Sequence, residues 1–426
     1  SGVGVTITIS PTPATLAGTV HINAERLLAA TIDPGQLVIG ATRLEAIVLS
    51  HVTSITVEVA RKLREAAEAG VCVVFVGQPP DRQPGLHNYL ENDARVAEIT
   101  HSIAERFGGM LEDAAAAPGL LAERGVRPGV TFEAPQPSIH SIHRQTEGAD
   151  IYFLRHAGSE PVTVWAGFPH PDRVPTVLDP WSGATIPAAH YQVQSGEVRL
   201  PLEFSAYGSV LLAFVPGPEP LHVVRCDPPV AREGDRLVAY VSKAGDYAFG
   251  LSDGARPLHH VAAAPAPLQI DEWELSTQLR AYTGNITPLH LELDTLQDWR
   301  EISQLKYSSN KGVYSTRVLL HGRYLQQGLR LTLDLGRVCD VAEVVVNGRR
   351  FEPLLSYPFA VDITDWVRVG DNEIKITVTA TLRNQLVQYG RLGGADWKQF
   401  RGRRELAPSG LLGPVTLVPE WRVEIV

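Results

Sequence analysis

Three aromatic side chains lie in stretches rich in Gly, Ser and Asn in the last third of the sequence. They are Tyr307, Tyr314 and Trp397. An aromatic ring can stack on the C–H face of a sugar while neighbouring polar groups bind the hydroxyls. The pattern therefore predicts a carbohydrate-binding site at these loops. The alternative for Tyr314 is that it begins a strand and packs inward.

Trp397 belongs to a segment, residues 390–404, that combines Arg and Lys side chains with Trp397 and Phe400. Loops of this kind often carry the ligand contacts of a β-sandwich. Cations and aromatic rings together suit a glycan, a contact with another domain, or a plain solvated loop. These three interpretations stay open.

Hydrolysis of a glycosidic bond would need two carboxyl groups about 5 to 9.5 Å apart. The acids that can be placed are Asp334, Asp362, Asp371 and Glu373, and the pattern puts them on alternating wet faces or in turns. Solvated surface is the simpler interpretation of each. The sequence therefore predicts no catalytic residue among them.

Other reactive groups give equally weak signals. The nucleophile motif G-x-S-x-G does not occur. His140 and His143 lie beside a Pro-rich linker without an acid motif, and the adjacent His259 and His260 would point to opposite sides of a strand. We therefore predict no metal ligand and no cofactor, although a structural calcium ion stays open because jelly-roll loops can hold one.

Composition excludes several classes of function. A net charge of −9 argues against nucleic acid as a partner, since phosphate binding depends on clustered Lys and Arg. Cys72, Cys226 and Cys339 are odd in number and widely spaced, which fits buried thiols rather than disulfides or a zinc site. No apolar run approaches the roughly 18 residues of a membrane span, so a membrane partner is not expected.

The elements that would position these residues begin with an α/β pattern. Residues 45–49 and 71–76 read as buried strands, and 56–69 between them as an amphipathic helix. The loops after the strands lack the glycines that cradle phosphates, so we expect no nucleotide. Ser50 and His51 lie at a strand end where ligands often bind, although a helix-capping role is the simpler interpretation.

Two β-rich regions follow. Short strands are predicted at residues 150–154, 162–165, 176–178, 198–202 and 209–215. Trp181, in the turn at 179–183, could stack on a sugar or cover a sheet edge.

Period-two alternation then predicts strands near the C-terminus, at residues 331–335, 341–346, 359–363, 372–378 and 411–417. Asn347-Gly348 suits a type I′ hairpin turn, and Asp371-Asn372 after Gly370 predicts a second tight reversal. The short antiparallel strands indicate a β-sandwich.

The amino-acid sequences of these regions resemble those of a known family. LDLGRVCDVAEVVVNGRRF, YPFAVDITDWVRVGDNEIKITVTATLRNQL and APSGLLGPVTL resemble the galactose-binding-like jelly roll of large glycoside hydrolases, in particular the α-L-rhamnosidases of glycoside hydrolase family 106. ADIYFLRHAGSEPVTV, LDPWSGATIPAA and SAYGSVLLAFVP resemble the β-sandwich segment of that family. Residues 21–28 and 44–80 are similar to its flavodoxin-like or amidotransferase-like accessory layer.

The resemblance implies a multidomain, mainly β protein. Its parts would be an N-terminal flavodoxin-like or amidotransferase-like α/β layer at residues 1–135, a central β-sandwich at 136–264, and a C-terminal galactose-binding-like jelly roll at 265–426. The catalytic acids of the family lie in a (β/α)₈ barrel N-terminal to these segments, and no residue of this chain matches that barrel. No catalytic residue is therefore carried over.

Two hypotheses follow. In the first, the chain is the non-catalytic C-terminal portion of an α-L-rhamnosidase-like enzyme, with Ser1 marking a trimmed start, the missing barrel as its partner and a rhamnose-containing glycan as a further ligand. In the second, it is a free-standing carbohydrate-binding or interaction protein. Secretion or a periplasmic location would follow only from the polysaccharide-degrading role.

Overall fold

The computed structural model describes residues 6–7, 22–40, 42–126, 128–281, 283–392, 399–400 and 405–426. Strands make up 44% of the structure and helices 16%, which confirms the mainly β prediction. The chain divides into two compact units, Ser1–Ile186 with Gln192–Glu219, and Pro187–Tyr191 with Pro220–Val426. Within the described ranges, no helix combines the length and the apolar character needed to cross a membrane.

The first part of the N-terminal unit mixes helices with short strands. Its elements are β1 (Thr6–Ile7), β2 (Ile22–Asn23), α1 (Ala24–Ala29), β3 (Thr31–Asp33), β4 (Gln36–Ile39), β5 (Thr42–Leu44), β6 (Ala46–Ser50), α2 (Val57–Glu68), β7 (Cys72–Val76), α3 (Tyr89–Phe107), β8 (Met110–Leu111), a 3₁₀ turn (Ala114–Ala116) and α4 (Ala117–Glu123).

Helix α2 shows why the α/β prediction succeeds. Thr56 begins the helix, because its hydroxyl accepts a hydrogen bond from the Val59 N–H at 3.3 Å. The apolar residues of α2, including Leu63, recur at helical spacing and are buried. Gly70 then turns the chain at a φ of +94°. Strands β6, β7 and β8 form the expected parallel layer, in the order in which they occur in the chain.

The second part of the N-terminal unit is a two-sheet β-sandwich. Its strands are β9 (Thr131–Phe132), β10 (Ile139–Gln145), β11 (Asp150–His156), β12 (Val162–Phe168), β13 (Val174–Leu178), β14 (Thr185–Pro187), β15 (Gln192–Gln194), β16 (Glu197–Phe204) and β17 (Ser209–Val215).

One sheet of this sandwich has the strand order β10-β11-β17-β13-β14, and the other has β15-β16-β12-β9. The sheets meet through aromatic rings: Phe168 of β12 lies 4.9 Å from Tyr152 of β11 and 4.8 Å from Phe214 of β17, between ring centroids. All three rings are buried. The five strands predicted here from turn spacing are all present.

The C-terminal unit is almost entirely β. Its elements are β18 (Val223–Arg225), β19 (Val230–Glu233), β20 (Arg236–Val241), β21 (Gly245–Ala248), β22 (Gly250–Leu251), β23 (Leu258–Val261), β24 (Leu268–Ile270), β25 (Trp273–Arg280), β26 (Ile286–Leu293), β27 (Lys311–Leu320), a 3₁₀ turn (Gly322–Tyr324), β28 (Leu329–Asp334), β29 (Arg337–Cys339), β30 (Val341–Val346), β31 (Arg349–Arg350), β32 (Ala360–Asp362), a 3₁₀ turn (Thr364–Trp366), β33 (Gly370–Thr379), α5 (Arg383–Arg391), β34 (Gly410–Gly413) and β35 (Val415–Glu424).

Two six-stranded sheets enclose the core of this unit. One has the order β26-β25-β27-β33-β30-β31, and the other runs β19-β20-β35-β28-β32 with β24 also paired to β35. Alternate residues of both sheets, such as Ile376 and Leu333, are fully buried in one cluster. Strands β19 and β20 thus join the C-terminal sheet, and the three-domain division at residues 135 and 264 stays a prediction.

The two predicted turns have different outcomes. Asn347 and Gly348 have φ values of +48° and +86°, and the Val346–Arg349 pair closes the expected hairpin. The reversal predicted at Asp371-Asn372 is wrong, because both residues belong to β33. The buried Asn372 side chain instead closes the preceding turn, accepting from the Arg368 N–H at 2.9 Å and donating to the Gly370 carbonyl at 2.9 Å.

Candidate functional site

Tyr314, one of the predicted sugar-binding residues, lies inside the C-terminal sandwich. Its ring has no exposed surface, and its hydroxyl accepts hydrogen bonds from Trp299 Nε1 at 2.6 Å and from the Leu411 N–H at 3.1 Å. Burial raises the pKa of this hydroxyl to about 12. Tyr314 therefore takes the inward orientation that was the alternative in the sequence, and offers no ring face to a ligand.

The glycines that made this region look like a loop have a packing role. Gly312 lies within strand β27, and a Cβ there would lie 2.5 Å from Cζ2 of Trp299. A Cβ on Gly410 would lie equally close to the same indole. The two glycines leave room for the Trp299 ring, so they indicate close packing rather than a flexible loop.

Tyr307 has a different environment. It is half-buried, its hydroxyl accepts a hydrogen bond from Arg391 Nη1 at 2.7 Å, and the Arg391 guanidinium lies 5.6 Å from the ring centroid. Arg391 is the last residue of α5. Trp397 falls in the range 393–398, outside the described residues. Tyr307 thus lies beside Arg391, at the start of the segment that contains Trp397. Tyr314, in contrast, is buried in the core.

Two buried amides hold α5 in place. The Asn384 side chain donates to the Ala407 carbonyl and accepts from the Ala407 N–H, both at 2.8 Å. Gln385 donates from its side chain to the Arg280 carbonyl at 3.1 Å. Because these bonds are shielded from water, they fix the helix and therefore the position of Arg391 against Tyr307.

A carboxylate fixes the chain at Ser409, just before β34. Asp298 accepts from the Arg300 side chain at 2.7 Å and from the N–H groups of Arg300 and Ser409 at 2.9 and 3.2 Å. Burial acts to raise the pKa of Asp298, but these hydrogen bonds outweigh it, so the pKa lies below its usual value. The charged carboxylate thus holds Ser409, just before β34, in place.

An open groove of about 590 Å³ lies elsewhere on the C-terminal unit, over strands β25, β26, β27 and β33. Its walls carry five carboxylates and one arginine: Glu272, Glu274, Glu292, Asp294, Glu373 and Arg317. Trp273 also lines the groove, but its ring is buried in the core. The groove offers acceptors for hydroxyl groups without an aromatic platform.

The carboxyl groups considered for catalysis have structural surroundings. Asp334 accepts from the Gly336 N–H at 2.8 Å, and Asp362 accepts from the Thr364 N–H at 3.0 Å, so both stabilise turns. The hydrogen bond from Lys375 lowers the pKa of Glu373. A general acid in a glycosidase needs the opposite shift. Among the described residues, the clear shifts of carboxyl pKa values are all downward.

The histidines divide into two groups. His140 is exposed on β10, and His260 pairs with Asp246 at 2.7 Å on the surface. His143 instead contacts the buried carboxylate of Asp150 at 2.8 Å. Sequence reasoning missed this acid, although a signal existed: in a hairpin of β10 and β11, the seven-residue separation places the two side chains diagonally across the strands.

At the α/β layer, His51 follows β6 with a φ of +52°, and its N–H donates to the Val76 carbonyl at 2.9 Å. Gly77 follows β7, and a Cβ there would lie 3.0 Å from Nδ1 of His51. The exposed imidazole of His51 therefore lies beside Gly77 at the end of the parallel layer. The predicted absence of nucleotide binding stays a prediction.

Known proteins share parts of this sequence and architecture. Residues 11–193 match the profile of glycoside hydrolase family 106, described as alpha-L-rhamnosidase. The structure of a rhamnosidase from Novosphingobium sp. PP1Y matches with a TM-score of 0.62 at 24% identity, covering 94% of this chain and 36% of that one. A Formosa agariphila protein provisionally named beta-glucuronidase is 24% identical over 258 residues, 53% of this chain and 22% of its own length.

The chain therefore spans about a third of the rhamnosidase and under a quarter of the curated relative. The profile match includes the α/β layer and the first strands of the sandwich, and the structural match extends over nearly the whole chain. Together they confirm the resemblance inferred from the sequence. The chain is a glycoside hydrolase family 106-like protein.

Proposed function

We propose that this chain is the non-catalytic C-terminal portion of an α-L-rhamnosidase-like glycoside hydrolase, where it provides scaffold and a glycan contact. The observation that carries the proposal is the match over 94% of this chain to only 36% of a rhamnosidase. In this proposal the α/β layer is the flavodoxin-like or amidotransferase-like accessory layer, and the C-terminal sandwich is the galactose-binding-like jelly roll. The catalytic barrel of such an enzyme is the proposed partner.

The surroundings of the carboxyl groups support a non-catalytic role. An acid that protonates a leaving group must hold its proton near neutral pH, and the clear pKa shifts found here go the other way. Glu274 and Glu292 are the groove residues that most resemble the carboxyl pair of a glycosidase, since they lie directly opposite each other in neighbouring strands. Both lie on the solvated face of the sheet.

The purified chain is expected to release no phenol from an aryl α-L-rhamnoside above the rate of the buffer blank. The assay should include the variants Glu274→Gln and Glu292→Gln, which keep the shape of the groove and remove its carboxylates. Any trace of turnover from a contaminant would be the same in all three proteins. Turnover that is lost in one variant would contradict the proposal.

The proposed glycan contact lies at Tyr307 and Trp397, with Arg391 as a polar neighbour. Tyr307 supplies an aromatic ring, and Arg391 supplies hydrogen-bond donors beside it. Buried amides hold α5, the helix that ends at Arg391, in place. A preorganised ring beside a guanidinium suits a polyhydroxylated ligand, since neither group has to be ordered on binding.

Rhamnose-containing oligosaccharides are expected to bind weakly, at roughly millimolar Kd or about 4 kcal/mol, because few rings contribute. Titration followed by tryptophan fluorescence should show a saturable response that Trp397→Ala abolishes and Tyr307→Ala weakens about fivefold, or ~1 kcal/mol. The matched control is Trp366→Ala, which removes a partly exposed indole from the same unit. Equal responses of Trp397→Ala and the native chain would remove Trp397 from the site.

A further inference from the structure

A cluster of three potential metal ligands lies in the β-sandwich of the N-terminal unit. His143 of β10, Asp150 of β11 and His170, which follows β12, each offer one ligand atom, and these atoms lie within 4.8 Å of one another. His143 Nε2 is 2.8 Å from Asp150 Oδ1, and His170 Nδ1 is 3.7 Å from Asp150 Oδ2. Strand β10 and the turn after β12 thus each bring an imidazole to the carboxylate on β11.

The second nitrogen of His170 is already occupied. Its Nε2 lies 2.8 Å from the Tyr152 hydroxyl, which leaves Nδ1 directed at Asp150. Metal-binding histidines commonly have their other ring nitrogen fixed by such a hydrogen bond. The His143 ring is held parallel to the Tyr152 ring at a centroid distance of 4.3 Å. Both imidazoles are therefore oriented before any ion arrives.

Burial also suits the cluster to a cation. The Asp150 side chain is 3% exposed, that of His170 is 14% exposed and that of His143 is 32% exposed, so an ion could enter past His143.

Arg173 opposes a cation at this position. Its Nη1 lies 3.3 Å from Asp150 Oδ2 and also donates to the Phe214 carbonyl at 3.2 Å. Arg173 therefore binds the carboxylate oxygen opposite the one that His143 contacts. The arginine would hold Asp150 as a one-oxygen ligand, and its positive charge would weaken ion binding without blocking the site.

We propose that His143, Asp150 and His170 form a binding site for a divalent transition-metal ion of the Zn²⁺ type. Two imidazoles and one carboxylate suit Zn²⁺ or Co²⁺ rather than Ca²⁺ or Mg²⁺, which prefer oxygen ligands. Ligand atoms bound to Zn²⁺ at about 2.0 to 2.2 Å lie roughly 3.3 Å apart. The three ligand atoms lie within 4.8 Å of one another, and His143 Nε2 is 2.8 Å from Asp150 Oδ1, so side-chain movements on the order of 1 Å would bring them to this spacing. Water would complete the coordination.

Cobalt is the probe, because Co²⁺ in a site with nitrogen ligands gives visible absorption bands. The full chain, first dialysed against a chelator, is titrated with CoCl₂, and Zn²⁺ is then added to displace the cobalt. We expect saturable absorption at one equivalent that Zn²⁺ removes. His143→Gln and His170→Gln should each weaken binding at least tenfold, or about 1.4 kcal/mol. The control His140→Gln changes an exposed histidine on the same strand and should bind like the native chain.

Arg173→Gln separates a metal site from a purely hydrogen-bonded cluster. Removing the like charge should tighten Co²⁺ binding roughly tenfold, whereas loss of a structural ion pair would only loosen the fold. Circular dichroism of each variant checks that the sandwich is intact, and His143→Gln, at the most exposed ligand, is the safest variant. Absorption that is unchanged in His143→Gln, or no tightening in a folded Arg173→Gln, would overturn the proposal.

Discussion

Replacing Asp150 with Ala is expected to lower the free energy of unfolding of the N-terminal sandwich by about 3 kcal/mol. The carboxylate is buried and is in contact with His143 at 2.8 Å and Arg173 at 3.3 Å. Removing one partner of a buried ion pair costs roughly 3 to 5 kcal/mol. The lower end applies here, because His143 and Arg173 each remain about a third exposed to water.

Asp246→Ala is the matched control. The Asp246 carboxylate makes the same kind of contact, 2.7 Å from His260 Nδ1, but both side chains are well exposed. Exposed pairs contribute less than about 1 kcal/mol, so this variant should be nearly neutral. Since the two units need not unfold together, hydrogen exchange should be measured at amides of β11 and β17 for Asp150→Ala, and at amides of β21 and β23 for Asp246→Ala. Similar losses in the two variants would contradict the burial argument.

Local sequence patterns predicted helices, turns and strands correctly where a single physical rule decides the structure. The periodic apolar residues of α2, its Thr56 cap and Gly70 are all local, and the structure has the helix from Val57 to Glu68. The Asn347-Gly348 turn follows from the positive φ that these residues tolerate. Period-two alternation located β28 and β30 to within two residues.

The candidate sites were harder to predict, because each depends on which strands become neighbours. The Gly, Ser and Asn residues around Tyr314 favour a loop and leave inward packing as the alternative, yet Gly312 lies in a strand and leaves room for the Trp299 ring. His143 lies on β10 and His170 follows β12 of the other sheet, so no spacing in the sequence links them. Only Asp150, across the hairpin from His143, was within reach of a local rule.

Trp299 is expected to make the largest single contribution to the C-terminal sandwich. The indole is fully buried, and its Nε1 donates to the Tyr314 hydroxyl at 2.6 Å. Trp299→Ala should cost about 4 kcal/mol, from lost apolar burial and the cavity that remains. Trp366→Ala is the control, because that ring is 44% exposed and should contribute under about 1 kcal/mol. Hydrogen exchange of amides in β25 and β27 should be used to measure both.

Gly312 allows a sharper test of the same packing. Gly312→Ala alone should destabilise the unit by about 2 kcal/mol, because the new methyl group would lie 2.5 Å from the indole and 3.1 Å from Leu275 Cδ1. In a Trp299→Ala background, the methyl group would enter the vacated space and cost almost nothing. The two changes should therefore couple by roughly 1 to 2 kcal/mol. Simple additivity of the two losses would mean that Trp299 does not occupy the space beside Gly312.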